Sequence, residues 1–305
     1  MSPSPSLTPR VEAWRAEGRD EVACGRRIFA RRRDGDGPLL LFVHGFPSSS
    51  YDWRLVLAEL GEPHSNTNDA SELRSLCFDC LGFGLSEKPR GSDYSLFEQA
   101  DIAEALVGAD AGPVIVIGHD MGTSVSTELL ARDIDGTLGF ELAGMLLFNG
   151  SIVAELASLT LAQKILLSRA GPVAARLSTK RFFVQQFGGV FSDAHPLTPE
   201  EADDQWALLE AGGGRGLGHH QAAYYRERIT NAKRWHGALG EWPGELHYVW
   251  GLEDPVATTR MFDAVRKIRP RAPAVELPGI GHYPQLEDPP QIAAAVERLV
   301  ASVTR

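Results

Sequence analysis

The stretch Pro113-Val-Ile-Val-Ile-Gly118-His119-Asp120-Met121-Gly122 decides the fold of this 305-residue chain. Its apolar run reads as a buried strand, and a helical pattern begins directly after it. Glycines at 118 and 122 permit the sharp bend between the two. In the related Gly-x-Ser-x-Gly arrangement such a turn lifts a nucleophilic serine above the end of a sheet. Here an aspartate occupies that perch. Aspartate is ionised at neutral pH, so it needs no base before it attacks carbon, and a base remains free for a later step. Taken alone, Asp120 would serve equally well as the cap of the helix beginning at Met121.

A nucleophile on such a turn is followed in chain order by an acid and then a histidine. Asp254 stands in the turn Gly251-Leu-Glu-Asp254-Pro255, after the strand-like run Glu245-Leu-His-Tyr-Val-Trp250. His282 stands in Pro278-Gly-Ile-Gly-His282-Tyr-Pro, after the short run Ala274-Val-Glu-Leu277. Asp254 alone could organise a turn with Pro255, and His282 alone could be one of nine ordinary histidines. Order and spacing together mark the three as a catalytic set. A further loop, His44-Gly45-Phe46-Pro47, follows the strand-like Pro38-Leu-Leu-Leu-Phe-Val43. Its main chain can face a developing oxyanion, with the N–H groups of Phe46 and Met121 as the expected donors. The alternative, an ordinary strand-to-helix connection at His44, predicts the same fold.

Strand and helix signals alternate along most of the chain, which predicts a mostly parallel sheet with helices on both faces. A hairpin is expected over residues 21–32, with five arginines between Arg26 and Arg33 on a solvated face. Helices are expected over 51–60, 97–107 and 289–303, strands over 75–79 and 142–148, and a polar loop over 61–71. The turn Gly82-Phe-Gly84 lacks the third glycine and downstream acid of a nucleotide-binding fingerprint. From about residue 151 to 234 strand signals vanish. Thr198-Pro-Glu-Glu201 marks a helix start there, and a glycine-rich stretch over 212–218 precedes a further helix bearing Tyr224 and Tyr225.

Composition narrows the function classes. A formal charge of −10 argues against nucleic acid or anionic membranes as partners and fits a small neutral apolar substrate with water. Cys24, Cys77 and Cys80 form no paired framework, and Cys77-Phe-Asp-Cys80 lacks a second ligand pair, so neither metal nor cofactor is expected. The opening Met1-Ser-Pro-Ser-Pro-Ser is not a signal peptide, and no apolar run is long enough to span a membrane, which predicts a cytoplasmic protein.

Four segments carry a resemblance to a known family: His44-Gly-Phe-Pro-Ser-Ser-Ser-Tyr-Asp-Trp53, Leu81-Gly-Phe-Gly-Leu-Ser-Glu-Lys-Pro89, Tyr94-Ser-Leu-Phe-Glu-Gln-Ala100 and His282-Tyr-Pro-Gln-Leu-Glu-Asp-Pro289. With the Asp120 turn, they resemble the aspartate-nucleophile branch of the α/β-hydrolase superfamily, which includes epoxide hydrolases and haloalkane dehalogenases. Within it they look like the group of the mesoderm-specific transcript protein and its bacterial relatives. The resemblance implies an α/β-hydrolase core, residues 1–150 and 238–305, interrupted by a helical cap over 151–237.

The two enzyme classes differ in what receives the leaving group. Haloalkane dehalogenases hold the halide with a tryptophan after the nucleophile and an asparagine in the loop after the first parallel strand. This chain has Met121 and Phe46 there, and neither side chain donates. Fluoroacetate dehalogenases carry an arginine where Met121 stands. Epoxide hydrolases place a pair of cap tyrosines over the ring oxygen. Ala222-Ala-Tyr224-Tyr225-Arg226 resembles the second of these motifs and points to Tyr225 as donor, with Tyr224 beside it. At the first, Phe183 stands where a hydroxyl is wanted. The expected reaction is therefore epoxide opening through an ester on Asp120, with Asp254 and His282 hydrolysing that ester. A dehalogenase using the same ester, and a non-catalytic binding protein that keeps the fold, are the alternatives.

Overall fold

The computed structural model describes residues 6–61 and 73–304. The loop expected over 61–71 lies outside the described residues except for Gly61, as do the first five residues of the opening segment. The described strands are β1 (Arg19–Ala23), β2 (Arg26–Arg33), β3 (Asp36–Val43), β4 (Leu73–Phe78), β5 (Pro113–His119), β6 (Glu141–Phe148), β7 (Glu245–Gly251) and β8 (Ala274–Leu277). They form one sheet in the order β1-β2-β4-β3-β5-β6-β7-β8. The β1–β2 hairpin and the β2–β4 pair are antiparallel, and every later pairing is parallel.

Each central strand is apolar without interruption because both faces of the sheet are covered. Leu39, Leu41, Val43, Val114 and Val116 pack into the layer that includes the helices Leu96–Val107 and Met121–Ile134. The alternate residues Leu40, Phe42, Ile115 and Ile117 pack with the helices Arg54–Glu59 and Pro289–Val303. The period of two along β3 and β5 thus becomes two buried layers.

Chain order reverses direction between β3 and β5, since β4 lies on one side of β3 and β5 on the other. A crevice opens at such a switch point, beyond the carboxyl ends of the strands. The β3–β5 register sets Val43 against Gly118, so the loops beginning at His44 and Asp120 emerge side by side. Asn149, Asp254 and His282 follow β6, β7 and β8 at the same edge.

Between β6 and β7 all regular structure among the described residues is helical. The helix Pro199–Glu210 starts where expected, with Thr198 accepting from the Glu201 N–H at 3.1 Å. Glu201 sends its carboxylate to Arg54 instead of back to the cap. The boundary expected at residue 237 falls inside the helix Ala232–Glu241, which packs on Met121–Ile134. There Arg234 Nε (3.0 Å) and Trp235 Nε1 (2.8 Å) donate to Glu128 Oε2, tying this helix to Met121–Ile134. An N-terminal helix, Pro9–Ala16, was not anticipated. It is clamped to the insert by Asp204, which accepts from Thr8 Oγ1, from Tyr51 Oη at 2.6 Å and from Arg10 at 2.8 Å.

Candidate active site

The turn after β5 is held in a conformation few residues adopt. Asp120 has φ 46° and ψ −110°, outside the ordinary regions for a residue with a side chain. Close packing fixes it there: a Cβ on Gly122 would stand 2.2 Å from the Val43 carbonyl oxygen, and one on Gly45 would stand 2.7 Å from Asp120 Cβ. Neither position has room for a methyl group. Asp120 makes no side-chain cap to the helix Met121–Ile134, which removes the capping role. Its Oδ2 accepts the Phe46 N–H at 2.9 Å, so one of the two expected main-chain donors already faces this carboxylate. Met121 opens the helix and buries its side chain in the core.

Asp254 and His282 come together below it. His282 Nδ1 lies 2.7 Å from Asp254 Oδ2, and Nε2 points to Asp120, 4.0 Å from Oδ1. That gap is too long for a direct hydrogen bond. Asp254 is almost fully buried, and its oxygens also take the N–H groups of Val256 (2.7 Å) and Ala257 (3.0 Å) and the Asn149 amide (2.8 Å). These donors compensate the carboxylate for the water it has lost. Burial works against charging His282, but the neighbouring Asp254 and then Asp120 outweigh it, and the imidazole pKa is raised. Asn149, itself at φ 46°, also accepts the Gly251 N–H at 2.9 Å and so joins the ends of β6 and β7. Sequence reading missed Asn149; its only signal was its place directly after a strand.

Two other buried histidines are neutral supports. Burial pushes the pKa of His44 down and that of His119 well down. His44 accepts the Cys80 N–H on Nε2 (2.9 Å) and donates from Nδ1 to the Gly45 oxygen (2.8 Å), bracing the loop that carries Phe46. His119 Nε2 donates to the His282 carbonyl at 2.7 Å, and its Nδ1 accepts from Gln285.

The insert covers this edge, and its arrangement corrects the expected register. Tyr225 donates its hydroxyl to the Ala154 carbonyl at 3.0 Å. Tyr224 is the tyrosine that faces the carboxylate: it is buried, its ring lies 5.9 Å from that of Phe46, and burial and then Asp120 push its phenol pKa up. The two differ because adjacent residues on a helix point about 100° apart, so a displacement of one position turns the wrong side chain inward. One turn further on, Arg228 was not anticipated. It is 2% exposed, donates from Nε to Ser124 Oγ (2.6 Å) and from Nη2 to the Asp120 carbonyl (2.9 Å), and packs over the Tyr224 ring. Nη2 lies 3.8 Å from Asp120 Oδ1, a buried cation beside a buried carboxylate.

A cavity of about 130 Å³ lies under the insert, lined mainly by apolar side chains including Phe46, Phe183, Phe187 and Val190, with His282 and Tyr283 in its wall. Phe183, where a hydroxyl was wanted, lines the cavity and stacks on Phe187 at 5.3 Å. Among the described residues no helix is long and apolar enough to cross a membrane. Cys77 and Cys80 are buried and unbridged.

Comparison with known proteins places this geometry. The proposed hydrolase LipZ of Mycobacterium tuberculosis is 48% identical over 294 residues, covering 96% of this chain and 99% of LipZ. The mesoderm-specific transcript protein of Mus musculus is 33% identical over 298 residues, covering 94% of this chain and 87% of that protein. The solved structure of haloalkane dehalogenase DbeA from Bradyrhizobium elkani matches with a TM-score of 0.76 over 94% of this chain and 98% of that one; at 20% identity the likeness is one of fold. The model of the alpha/beta hydrolase family matches residues 40–295, and with a β-sheet whose strand ends carry Asp120, Asp254 and His282, this chain belongs to that family.

Proposed function

We propose that this hydrolase acts through a covalent ester on Asp120 and opens small apolar epoxides to vicinal diols. The observation that carries the reading is what surrounds one carboxylate: the Phe46 N–H on Oδ2, and the His282–Asp254 pair and Arg228 towards Oδ1, with buried Tyr224 beside them. In this reading residues 151–237 form the cap of the site, and residues 1–150 and 238–305 the core.

Asp120 Oδ1 attacks an epoxide carbon, the C–O bond breaks, and Tyr224 protonates the departing oxygen. A phenol whose pKa is raised still yields its proton to an alkoxide, which is the stronger base. As the ester forms, Asp120 loses its charge, and Arg228 would be left as an uncompensated buried cation. Negative charge developing on the substrate oxygen meets that need. His282 then takes a proton from water, which attacks the ester carbonyl, and the N–H groups of Phe46 and Met121 receive the oxyanion; as the bond from Asp120 to the diol breaks, His282 returns its proton to the departing alkoxide, and the proton left on the Asp120 carboxyl restores Tyr224. Asp254 on Nδ1 leaves Nε2 as the basic nitrogen, and the 4.0 Å gap to Asp120 leaves His282 free to work through a water.

His282→Gln removes the base for the second step while leaving the first. Incubated with styrene oxide, the variant should accumulate one adduct per chain, seen by intact-protein mass spectrometry and mapped to Asp120. Absence of an adduct together with undiminished turnover sinks the mechanism.

One observation favours the haloalkane dehalogenase alternative, since the buried Arg228 brings N–H groups close to Asp120. Two of its donor directions are already taken, by Ser124 and by the Asp120 carbonyl, and Trp235 gives its N–H to Glu128. A missing oriented donor costs about 3 kcal/mol in the transition state. Bromide release from 1-bromobutane should therefore run at least roughly a hundredfold slower than diol formation, and equal rates would reverse the assignment.

A further inference from the structure

The charge of the insert is locally reversed. The stretch 156–192 carries Lys164, Arg169, Arg176, Lys180 and Arg181 and no Asp or Glu, in a chain whose formal charge is −10. Lys180 pairs with Asp203 at 2.7 Å, and the other four make no ion pair among the described residues. Arg226 brings a further cation to the same place, since its Nη2 donates to the Leu167 carbonyl at 2.9 Å. Cations gathered on one face of an acidic protein create a local field that attracts an anionic partner.

Apolar side chains stand among these cations. The helix Leu161–Leu166 has no buried residue and is held by a reciprocal cap, in which the Thr160 N–H donates to Gln163 Oε1 at 2.9 Å and the Gln163 N–H to Thr160 Oγ1 at 3.2 Å. It packs on the helix Gly171–Leu177. Leu161 is 59% exposed, Val173 61% and Leu177 70%, whereas the other exposed large apolar residues among the described ones, Val22, Leu55, Ile134 and Ile229, are scattered over four other elements. Leu161 with Lys164, and Val173 with Arg176 and Leu177, stand three or four positions apart, so each helix turns an apolar and cationic face outward. The inner residues of the same two helices, including Ala162, Leu166, Ala174 and Ala175, line the cavity that has His282 in its wall.

We infer that this outer face docks on an anionic lipid bilayer and sets the cavity against it. Leucine and valine interleaved with lysine and arginine suit a bilayer surface, where the apolar side chains sink to the acyl boundary and the cations meet lipid phosphates. A protein partner fits less well, because the core of a protein interface is depleted in charge, whereas Lys164 and Arg176 stand within the apolar set. A second copy of the same face would set like charges against each other. Net charge argues against an anionic membrane, but a bilayer meets one face of a protein, and only charge within about 10 Å of it counts at moderate salt. The acidity of the remaining surface then turns the insert towards the lipid. An apolar substrate dissolved in the bilayer has a short way to the cavity, since the two docking helices border both. Docking itself does not depend on which leaving group the site serves.

The test is sedimentation of the whole chain with unilamellar vesicles, either of equimolar phosphatidylcholine and phosphatidylglycerol or of phosphatidylcholine alone. The chain should bind the anionic vesicles at least roughly tenfold more tightly, with the preference shrinking as salt is raised. Lys164→Glu combined with Arg176→Glu should weaken that binding by roughly tenfold or more. Leu161→Ser, Val173→Ser and Leu177→Ser together, which change no charge, should weaken it by roughly tenfold as well. Val22→Ser, on the β1–β2 hairpin, should leave it unchanged. All six positions are exposed, and an unchanged melting temperature confirms that each variant is folded. No association of the unaltered chain with anionic vesicles overturns the proposal, as does binding that neither combined variant weakens or that Val22→Ser weakens equally. Binding lost with the two glutamates but kept with the three serines is adsorption by charge alone, which an acidic protein would serve as well, and it overturns the bilayer as partner. The assay reads no turnover, so failure of the epoxide reading shows separately, as the absence of ester in His282→Gln.

Discussion

The two walls of the site are built differently. On the strand-end wall, Asp254 is held by two main-chain N–H groups and the Asn149 amide besides its bond to His282, each supplied by a loop that a strand end fixes. On the insert wall, Arg228 reaches down from the helix Tyr224–Thr230 to Ser124 and the Asp120 carbonyl, while Tyr225 on the same helix bonds Ala154 within the insert. Turns specify a position by backbone geometry, so one residue has one place. A helix specifies a face, and the same face can be reached from neighbouring registers. Catalytic groups on the first wall should therefore tolerate no exchange, whereas those on the second should separate sharply by register.

The strongest way to break this contrast is Asp254→Ala. Removing the group that orients the histidine should lower turnover by roughly 10⁴, as loss of such a carboxylate does elsewhere, with ester accumulating. A decrease smaller than tenfold would show that the strand-end wall is not where hydrolysis is controlled. Next comes the tyrosine pair: Tyr224→Phe should slow ester formation by roughly 10² to 10³, the worth of a positioned acid. Tyr225→Phe should leave turnover near wild type and lower stability by about 1 kcal/mol through its lost bond to Ala154. The reverse ranking would return the acid role to Tyr225.

A pH series sharpens the same contrast with a smaller effect. The folded His282 pKa is raised above its ordinary value by Asp254 and Asp120 against the opposing effect of burial, so its neutral form is lost as pH falls through that raised value. In the proposed mechanism ester formation does not need neutral His282. Rapid-quench measurement in acid should then find ester accumulating while diol release slows, and equal slowing of both steps would contradict the division of labour. The raised pKa also carries a stability term, which is present below the unfolded histidine value and lost as pH rises through the folded one.

Much of this was legible in the sequence because the signals were local. Five apolar residues and two glycines specify the strand, turn and helix around Asp120, and the acid and histidine loops follow strands recognisable by their own runs. Phe46 was legible for the same reason, since its N–H, not its side chain, faces Asp120. What stayed hidden depends on contacts between distant segments. Arg228 meets Asp120 across 108 positions, and Asp52 meets Gln205 across 153, distances over which no spacing rule operates. Tyr224 and Tyr225 were both visible, but choosing between them requires the rotation of a helix that only its packing sets. Glu201 illustrates the same limit: its place after Thr198 suggested a reciprocal cap, and the Arg54 guanidinium took its carboxylate instead.

The bond from Arg228 to the carbonyl of Asp120 bears on how such a protein can be altered. The helical insert looks like an interchangeable part, a lid that decides which molecules enter while the body performs the reaction. Here the helix Tyr224–Thr230 reaches the backbone of Asp120, the proposed nucleophile, and places a cation beside its carboxylate. Exchanging the insert for one without an arginine at position 228 would change more than selectivity, because the turn that aims the carboxylate would lose a tether in the same step. If Asp120 is the nucleophile as proposed, substrate range and reaction rate should be inherited together, and a swap that keeps Arg228 should transfer the first without forfeiting the second.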